Sequence, residues 1–199
     1  IGERSKLWIH GRSLPNLLNR AIGRNFAAKQ TTADVVWFCD ADYVFGDGYL
    51  DALAETCCQF QRQAEDKFPK RLLFPREIQI SNTHELGDDY ARRVTQPAIV
   101  NIDPKDFKPH RIRKAIGGLQ VVPGHIARKY GYCDGQKRTL KPRTDSTWKP
   151  TTCDIRYRKS LNGGKDWPGT PIDLPNLFRI RQSVAGVVDT VDERHGDDT

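Results

Sequence analysis

Five consecutive apolar residues, Val35-Val36-Trp37-Phe38-Cys39, run straight into Asp40-Ala41-Asp42. A run this short, rich in β-branched and aromatic side chains and bounded by polar residues, predicts a strand covered on both faces, as in a parallel sheet. Side chains alternate along a strand, so the carboxylates at 40 and 42 are expected to face the same way. In open α/β sheets the ligand crevice lies outside such strand ends. Hard oxygen donors there suit Mg²⁺ or Mn²⁺, which bridge to phosphates. An Asp-x-Asp standing alone is read equally well as a turn that caps the strand.

The flanking segments predict an alternation of helices and strands. Leu7 to His10 suit a short strand. Ser13-Leu14-Pro15 opens a helix with Ser as N-cap, and Leu14, Leu17, Leu18, Ala21, Ile22 and Phe26 recur on one face up to about Lys29. After Gly46-Asp47-Gly48 a helical period runs from Tyr49 to about Lys67, and Leu72-Leu73-Phe74 begins another strand. Residues 81–94 read as a polar helix and 97–109 as an irregular, proline-punctuated stretch. Ile116 to Val122 suits a strand opened by Gly117-Gly118, and Ile126 to Tyr130 a short helix. A basic loop then leads to a helix from Ile155 to Leu161, closed by Gly163-Gly164. The expected architecture is a single α/β domain, which 199 residues can build around one core.

Composition narrows the class. Apolar residues make up 37% and charged residues 29%, which fits a globular chain. No apolar run approaches the roughly 18 residues needed to span a bilayer, and the start lacks a signal-peptide pattern, so a soluble protein is expected. The five cysteines are odd in number and outside any CxxC spacing, which predicts reduced thiols and a cytoplasmic location. The chain contains no methionine, which predicts that the polypeptide extends upstream of Ile1. Net charge is +7, unevenly spread: from Lys105 to Lys165 there are 16 Lys and Arg against 4 Asp and Glu, an excess of +12 that leaves −5 for the rest. Such a region favours a polyanionic partner, although a solvated basic surface explains it as well.

The order of blocks resembles a known family. Arg24-Asn25-Phe26-Ala27-Ala28, then Asp34 to Asp42, then Gly48-Tyr49-Leu50 is similar to the inverting GT-A glycosyltransferases of the large family that includes cellulose and chitin synthases. A second set resembles the same family: Gly117-Gly118-Leu119, then Gly131-Tyr132-Cys133-Asp134, then Cys153-Asp154-Ile155 with Arg158 and Gly163-Gly164. The resemblance covers about residues 7 to 165. It implies a GT-A, Rossmann-like, mostly parallel sheet flanked by helices and incomplete at the N-terminus, where the family's first strands are missing. Residues 1–100 would form the metal and donor part, 101–188 the acceptor and base part, and 189–199 a flexible tail.

The resemblance implies an enzyme that transfers a sugar from a nucleotide-sugar donor, a UDP-sugar first, to an acceptor hydroxyl with inversion. Asp40 and Asp42 would hold Mn²⁺ or Mg²⁺. Arg24, Asn25, Asp40, Gly117 and Gly118 would line the donor site. Asp154 would be the catalytic base; read alone, it is an N-cap of the helix beginning at Ile155. Two residues depart from the family pattern: Cys153 replaces the usual Glu, and Gln182 stands where relatives bring a late His to the metal, with His195 as a substitute.

With the basic region, the acceptor expectation is a hydroxymethylated base in DNA, as in bacteriophage DNA-modifying enzymes, placing the protein in the host cytoplasm. A polysaccharide or lipid-linked acceptor stays open, as do a non-catalytic polyanion-binding domain and a nucleotidyltransferase.

Overall fold

The computed structural model describes residues 19–62, 72–83, 103–137, 140–141 and 152–181. In chain order these contain α1 (Arg20–Gln30), β1 (Val35–Phe38), β2 (Tyr43–Phe45), α2 (Tyr49–Arg62), β3 (Leu73–Pro75), β4 (Glu77–Ser81), a 3₁₀ turn (Pro104–Asp106) and β5 (Phe107–Arg111). There follow β6 (Gln120–Pro123), α3 (Gly124–Tyr130), α4 (Cys153–Leu161), β7 (Thr170–Ile172) and β8 (Leu177–Arg179). The chain divides into two compact units, Ile1–Val36 with Pro123–Asp166, and Trp37–Val122 with Trp167–Thr199.

In the first unit, Asn19 caps α1. Its side-chain oxygen accepts from the Ala21 N–H at 3.1 Å, and its amide donates to the Lys141 carbonyl at 3.0 Å. Asn19 has extended backbone angles, so the apolar stripe that begins at Leu14 does not continue as one helix through this point. Ala21 and Ala28, two turns apart, are fully buried on one face. α3 ends at Gly131, whose φ of 59° only glycine adopts without strain. A Cβ on Gly124 would sit 1.7 Å from the Ala33 carbonyl oxygen, so the start of α3 can lie against that backbone only as glycine. α4 buries Cys153, Tyr157, Arg158 and Leu161, and the Gly164 N–H closes it onto the Lys159 carbonyl at 2.8 Å.

The second unit is built on two sheets, ordered β1-β6-β3-β7 and β2-β8-β4-β5. Here the structure corrects the expected mostly parallel, Rossmann-like GT-A sheet. β3 pairs antiparallel with β6 and parallel with β7; β4 pairs antiparallel with β5 and parallel with β8; β2 pairs antiparallel with β8. The physical reason is strand length. The antiparallel partners of these three- to five-residue strands come from distant segments, and their direction follows long-range pairing that an apolar run does not encode.

A single residue, Arg76, carries the chain from one sheet to the other. Its N–H donates to the Ile172 carbonyl and its own carbonyl accepts from Ile112, both at 2.8 Å. Pro75 before it brings no N–H to a ladder.

Other expectations shift as well. β1 is half-buried at Val35, Val36 and Trp37 and fully buried only at Phe38, because it lies at a sheet edge. Ser81 ends a strand and does not begin a helix; residues 84–102, where most of that predicted helix falls, lie outside the described residues. The stretch predicted to be irregular up to 109 contains a 3₁₀ turn and β5. Gly117-Gly118 forms a turn ahead of β6, with the Leu119 N–H donating to the Ile116 carbonyl at 2.7 Å. α2 buries Tyr49, Leu53 and Cys57, four residues apart, as its sequence period predicts.

Candidate functional site

The Asp40–Asp42 segment belongs to the second unit. β1 stops at Phe38, and Ala41 and Asp42 form a turn, so strand alternation does not aim the two carboxylates. Their placement comes from β8. The Ile180 N–H donates to the Asp42 carbonyl at 2.8 Å, and Tyr43 stands opposite Arg179 in the β2–β8 register. Arg179 then donates from Nε to Asp42 Oδ2 at 2.8 Å, with its guanidinium 5.7 Å from the centre of the Tyr43 ring. Burial lowers the Arg179 pKa, but the Asp42 hydrogen bond and nearby negative charges outweigh it, so the net shift is upward. Burial, opposed by Arg179 and aided by the two aspartates, raises the Tyr43 hydroxyl pKa.

The other Asp42 oxygen, Oδ1, is buried and has no hydrogen-bond partner among the described residues. An ionised carboxylate accepts at both oxygens, and leaving a buried acceptor unpaired costs about 1–3 kcal/mol. A cation or a donor at Oδ1 would remove that cost. Among the described residues no three His, Cys, Asp or Glu side chains gather into a ligand group. Two carboxylates still fit Mg²⁺, which commonly takes one or two from protein and the rest from phosphate and water.

Gly118 abuts this turn. A Cβ there would lie 2.6 Å from the Asp40 backbone nitrogen and 2.7 Å from the Tyr43 ring. Trp37 Nε1 donates to the Gly118 carbonyl at 2.8 Å and ties the two segments together. The Gly118 backbone thus approaches the Asp40 backbone, and Gly117 takes the positive φ of 37° that lets the turn form.

Asp154 belongs to the first unit. α4 begins at Cys153, so Asp154 lies in its first turn and is not an N-cap; a carboxylate there is favoured by the helix dipole. Tyr132 Oη donates to Asp154 Oδ1 at 2.8 Å, Arg20 donates to Oδ2 at 3.2 Å, and Arg24 lies 4.0 Å from Oδ1. Arg24 also donates to Tyr132 Oη at 3.2 Å and stacks 5.3 Å over its ring. Asn25 Oδ1 accepts from the Tyr132 N–H at 2.8 Å. Burial, reinforced by the Asp154 charge, pushes the Tyr132 hydroxyl pKa well up, which keeps it a proton donor.

Two further pairs hold the frame of the first unit. Lys29 Nζ meets Asp134 Oδ2 at 2.7 Å, and that hydrogen bond lowers the Asp134 pKa. Arg158 forks onto Asp166 at 2.9 and 3.1 Å.

The basic region is exposed in each unit. β5 carries Lys108, His110 and Arg111 outward at the edge of its sheet, continued by exposed Arg113 and Lys114. α3 and the segment after it expose Arg128, Lys129 and Lys137.

Of the residues read from sequence as a donor site, Asp40, Gly117 and Gly118 come together beside Asp42, whereas Arg24 and Asn25 gather with Tyr132 and Asp154. Gln182 and His195 lie outside the described residues. Sequence reasoning missed Arg179, Arg20 and Tyr132 as partners of the key carboxylates. The apolar neighbours Leu177, Phe178 and Ile180 mark Arg179 as a cation at a sheet, but nothing local tells that it reaches 137 residues back to Asp42. Among the described residues no helix is long and apolar enough to cross a membrane. Comparison with protein-family models, curated proteins and solved structures gives no match.

Proposed function

We propose that this chain is a metal-dependent glycosyltransferase that moves a sugar from a nucleotide-sugar donor, a UDP-sugar first, to an acceptor hydroxyl with inversion. The observation that carries this reading is the buried, unpartnered Oδ1 of Asp42 in the turn that also holds Asp40. The motif order supports it independently; a mostly parallel sheet no longer does.

In this reading Asp40 and Asp42 would hold Mn²⁺ or Mg²⁺. Bound there, the ion supplies Lewis-acid neutralisation of the leaving nucleoside diphosphate. Gly118 keeps the Asp40 backbone where it is. The family resemblance gives Asp154 the role of general base, which would take the acceptor hydroxyl's proton as that oxygen bonds to the anomeric carbon and the bond to the diphosphate breaks on the opposite face. Tyr132 and Arg20 fix the two Asp154 oxygens. Arg24 and Asn25 act through Tyr132 as positioning residues.

The test is release of nucleoside diphosphate from a panel of UDP- and GDP-sugars with Mn²⁺. Activity should vanish in excess EDTA and in Asp42→Ala, and fall roughly 10²- to 10⁴-fold in Asp154→Asn, the usual general-base contribution. Full turnover in EDTA or by Asp42→Ala removes the metal reading, and unchanged turnover in Asp154→Asn removes that residue as base.

For the acceptor, the exposed basic edge strand β5 favours a polyanion, and a hydroxymethylated base in DNA is the acceptor we assign. Lysines on an edge strand also deter strand-to-strand aggregation, so the charge alone does not decide the matter. Duplex binding should weaken steeply with salt, and further in a Lys108→Glu, Arg111→Glu, Lys114→Glu variant. Absence of DNA binding at low salt leaves a polysaccharide or lipid-linked acceptor.

A further inference from the structure

We propose that Arg179 is a built-in counter-ion of Asp42, which a divalent cation must displace, and that the released guanidinium then binds the diphosphate of the donor. This rests on the metal reading of Asp42 given above. Arg179 Nε lies 2.8 Å from Asp42 Oδ2, so it holds one oxygen of the carboxylate that a metal would need, while Oδ1 stays unpartnered among the described residues. One carboxylate is thus half satisfied by an internal cation. That arrangement holds a negative charge in a partly buried turn and leaves Oδ1 as the oxygen that a harder cation would complete.

Arg179 is built to let go. Its side chain is 43% exposed and that of Asp42 is 23% exposed, so the pair is weakly held compared with a buried one. Its guanidinium lies against the Tyr43 ring, a flat surface that can carry it when Asp42 is taken. Among the described residues the Arg179 side chain makes its hydrogen bond through Nε. The planar fork of a guanidinium matches phosphate oxygens in pairs, which an ammonium cannot do. An arginine that competes with the metal for its ligand, yet adds to the charge that receives the metal-bound diphosphate, must act on the two ligands with opposite signs. A residue that merely braced the turn would weaken both together.

The test measures Mn²⁺ binding to the full chain by loss of the free Mn²⁺ electron paramagnetic resonance signal, then UDP binding by calorimetry at saturating Mn²⁺. Arg179→Gln should bind Mn²⁺ about fivefold more tightly than the unmodified chain, the upper end for loss of one partly exposed ion pair. The same variant should bind UDP about tenfold more weakly, or about 1.4 kcal/mol. Arg179→Lys keeps the charge without the fork, so its Mn²⁺ affinity should stay within about threefold while UDP is still weakened.

Equal or weaker Mn²⁺ binding by Arg179→Gln overturns the counter-ion role. Unchanged UDP affinity in Arg179→Lys, which keeps the pair and guards against a folding defect in the other variant, overturns the diphosphate role. Asp42→Asn separates this from failure of the metal reading. If the unmodified chain and Asp42→Asn bind Mn²⁺ alike, or neither binds it, the metal site itself is wrong and this inference falls with it.

Discussion

Two fully buried tyrosines offer the same chemical edit with opposite expected outcomes. Tyr132 and Tyr49 are both 0% exposed, and Phe in place of either keeps the ring and removes one hydroxyl. At Tyr132 the hydroxyl donates to Asp154 at 2.8 Å and accepts from Arg24, whose side chain is 11% exposed. A hydrogen bond to a charged group contributes about 1.5–3 kcal/mol. The Tyr157 ring contact at 4.5 Å and the Arg24 stacking survive the edit, so the loss should be about 2–3 kcal/mol. For a chain of this size that is roughly 4–12 °C in melting temperature.

At Tyr49 the ring lies 5.3 Å from Trp37 and 5.6 Å from Phe45, and its hydroxyl has no hydrogen-bond partner among the described residues. Removing an unsatisfied buried hydroxyl should be neutral or stabilise by up to about 1 kcal/mol. The assay is urea unfolding with near-ultraviolet circular dichroism, alongside calorimetry. A Tyr132→Phe protein as stable as the unmodified chain, or a Tyr49→Phe protein destabilised by more than about 1 kcal/mol, refutes the hydrogen-bond reasoning.

Gly118→Ala should cut Mn²⁺ affinity by tenfold or more while the chain stays folded, because the new Cβ meets the Asp40 backbone at 2.6 Å and displaces the carboxylate-bearing turn; an unaltered Mn²⁺ titration would argue against it. Iodoacetamide at pH 8 should label exposed Cys58 well before buried Cys57 and Cys133, whose thiol pKa values burial pushes up to about 11 and about 12. At about three and four units above the solution pH, roughly one thiol in a thousand and one in ten thousand are ionised. Mass spectrometry showing Cys133 modified first would contradict the burial.

The sequence made legible what depends on near neighbours. Tyr49, Leu53 and Cys57 recur at helical spacing and form the buried face of α2; the glycines at 131, 163 and 164 stop helices because their positive φ values suit little else. Strand direction was not legible. Leu73-Phe74 announces a strand but says nothing of whether Thr170 or Val121 will lie beside it, or which way each will run. The candidate site divides along the same line. Asp40 and Asp42 are adjacent in the chain and stood out, while Arg179 and Tyr132, which dictate what those carboxylates and Asp154 can accept, come from distant segments.

The hand-over of the chain at Arg76 has a consequence during synthesis. β3 and β4 flank it, and each takes its parallel partner from β7 and β8, about a hundred residues later; the Arg76 side chain itself is paired with Asp173, 97 residues on. At roughly 5–20 residues per second, a ribosome needs about 5–20 s to deliver those partners. Through that interval β3 and β4 have exposed edges open to wrong pairing. Asp42 waits longer still, since Arg179 is among the last described residues to emerge. The turn that would hold a metal is therefore finished late, and a nascent chain stalled before residue 170 carries its aspartates without the cation that tempers them.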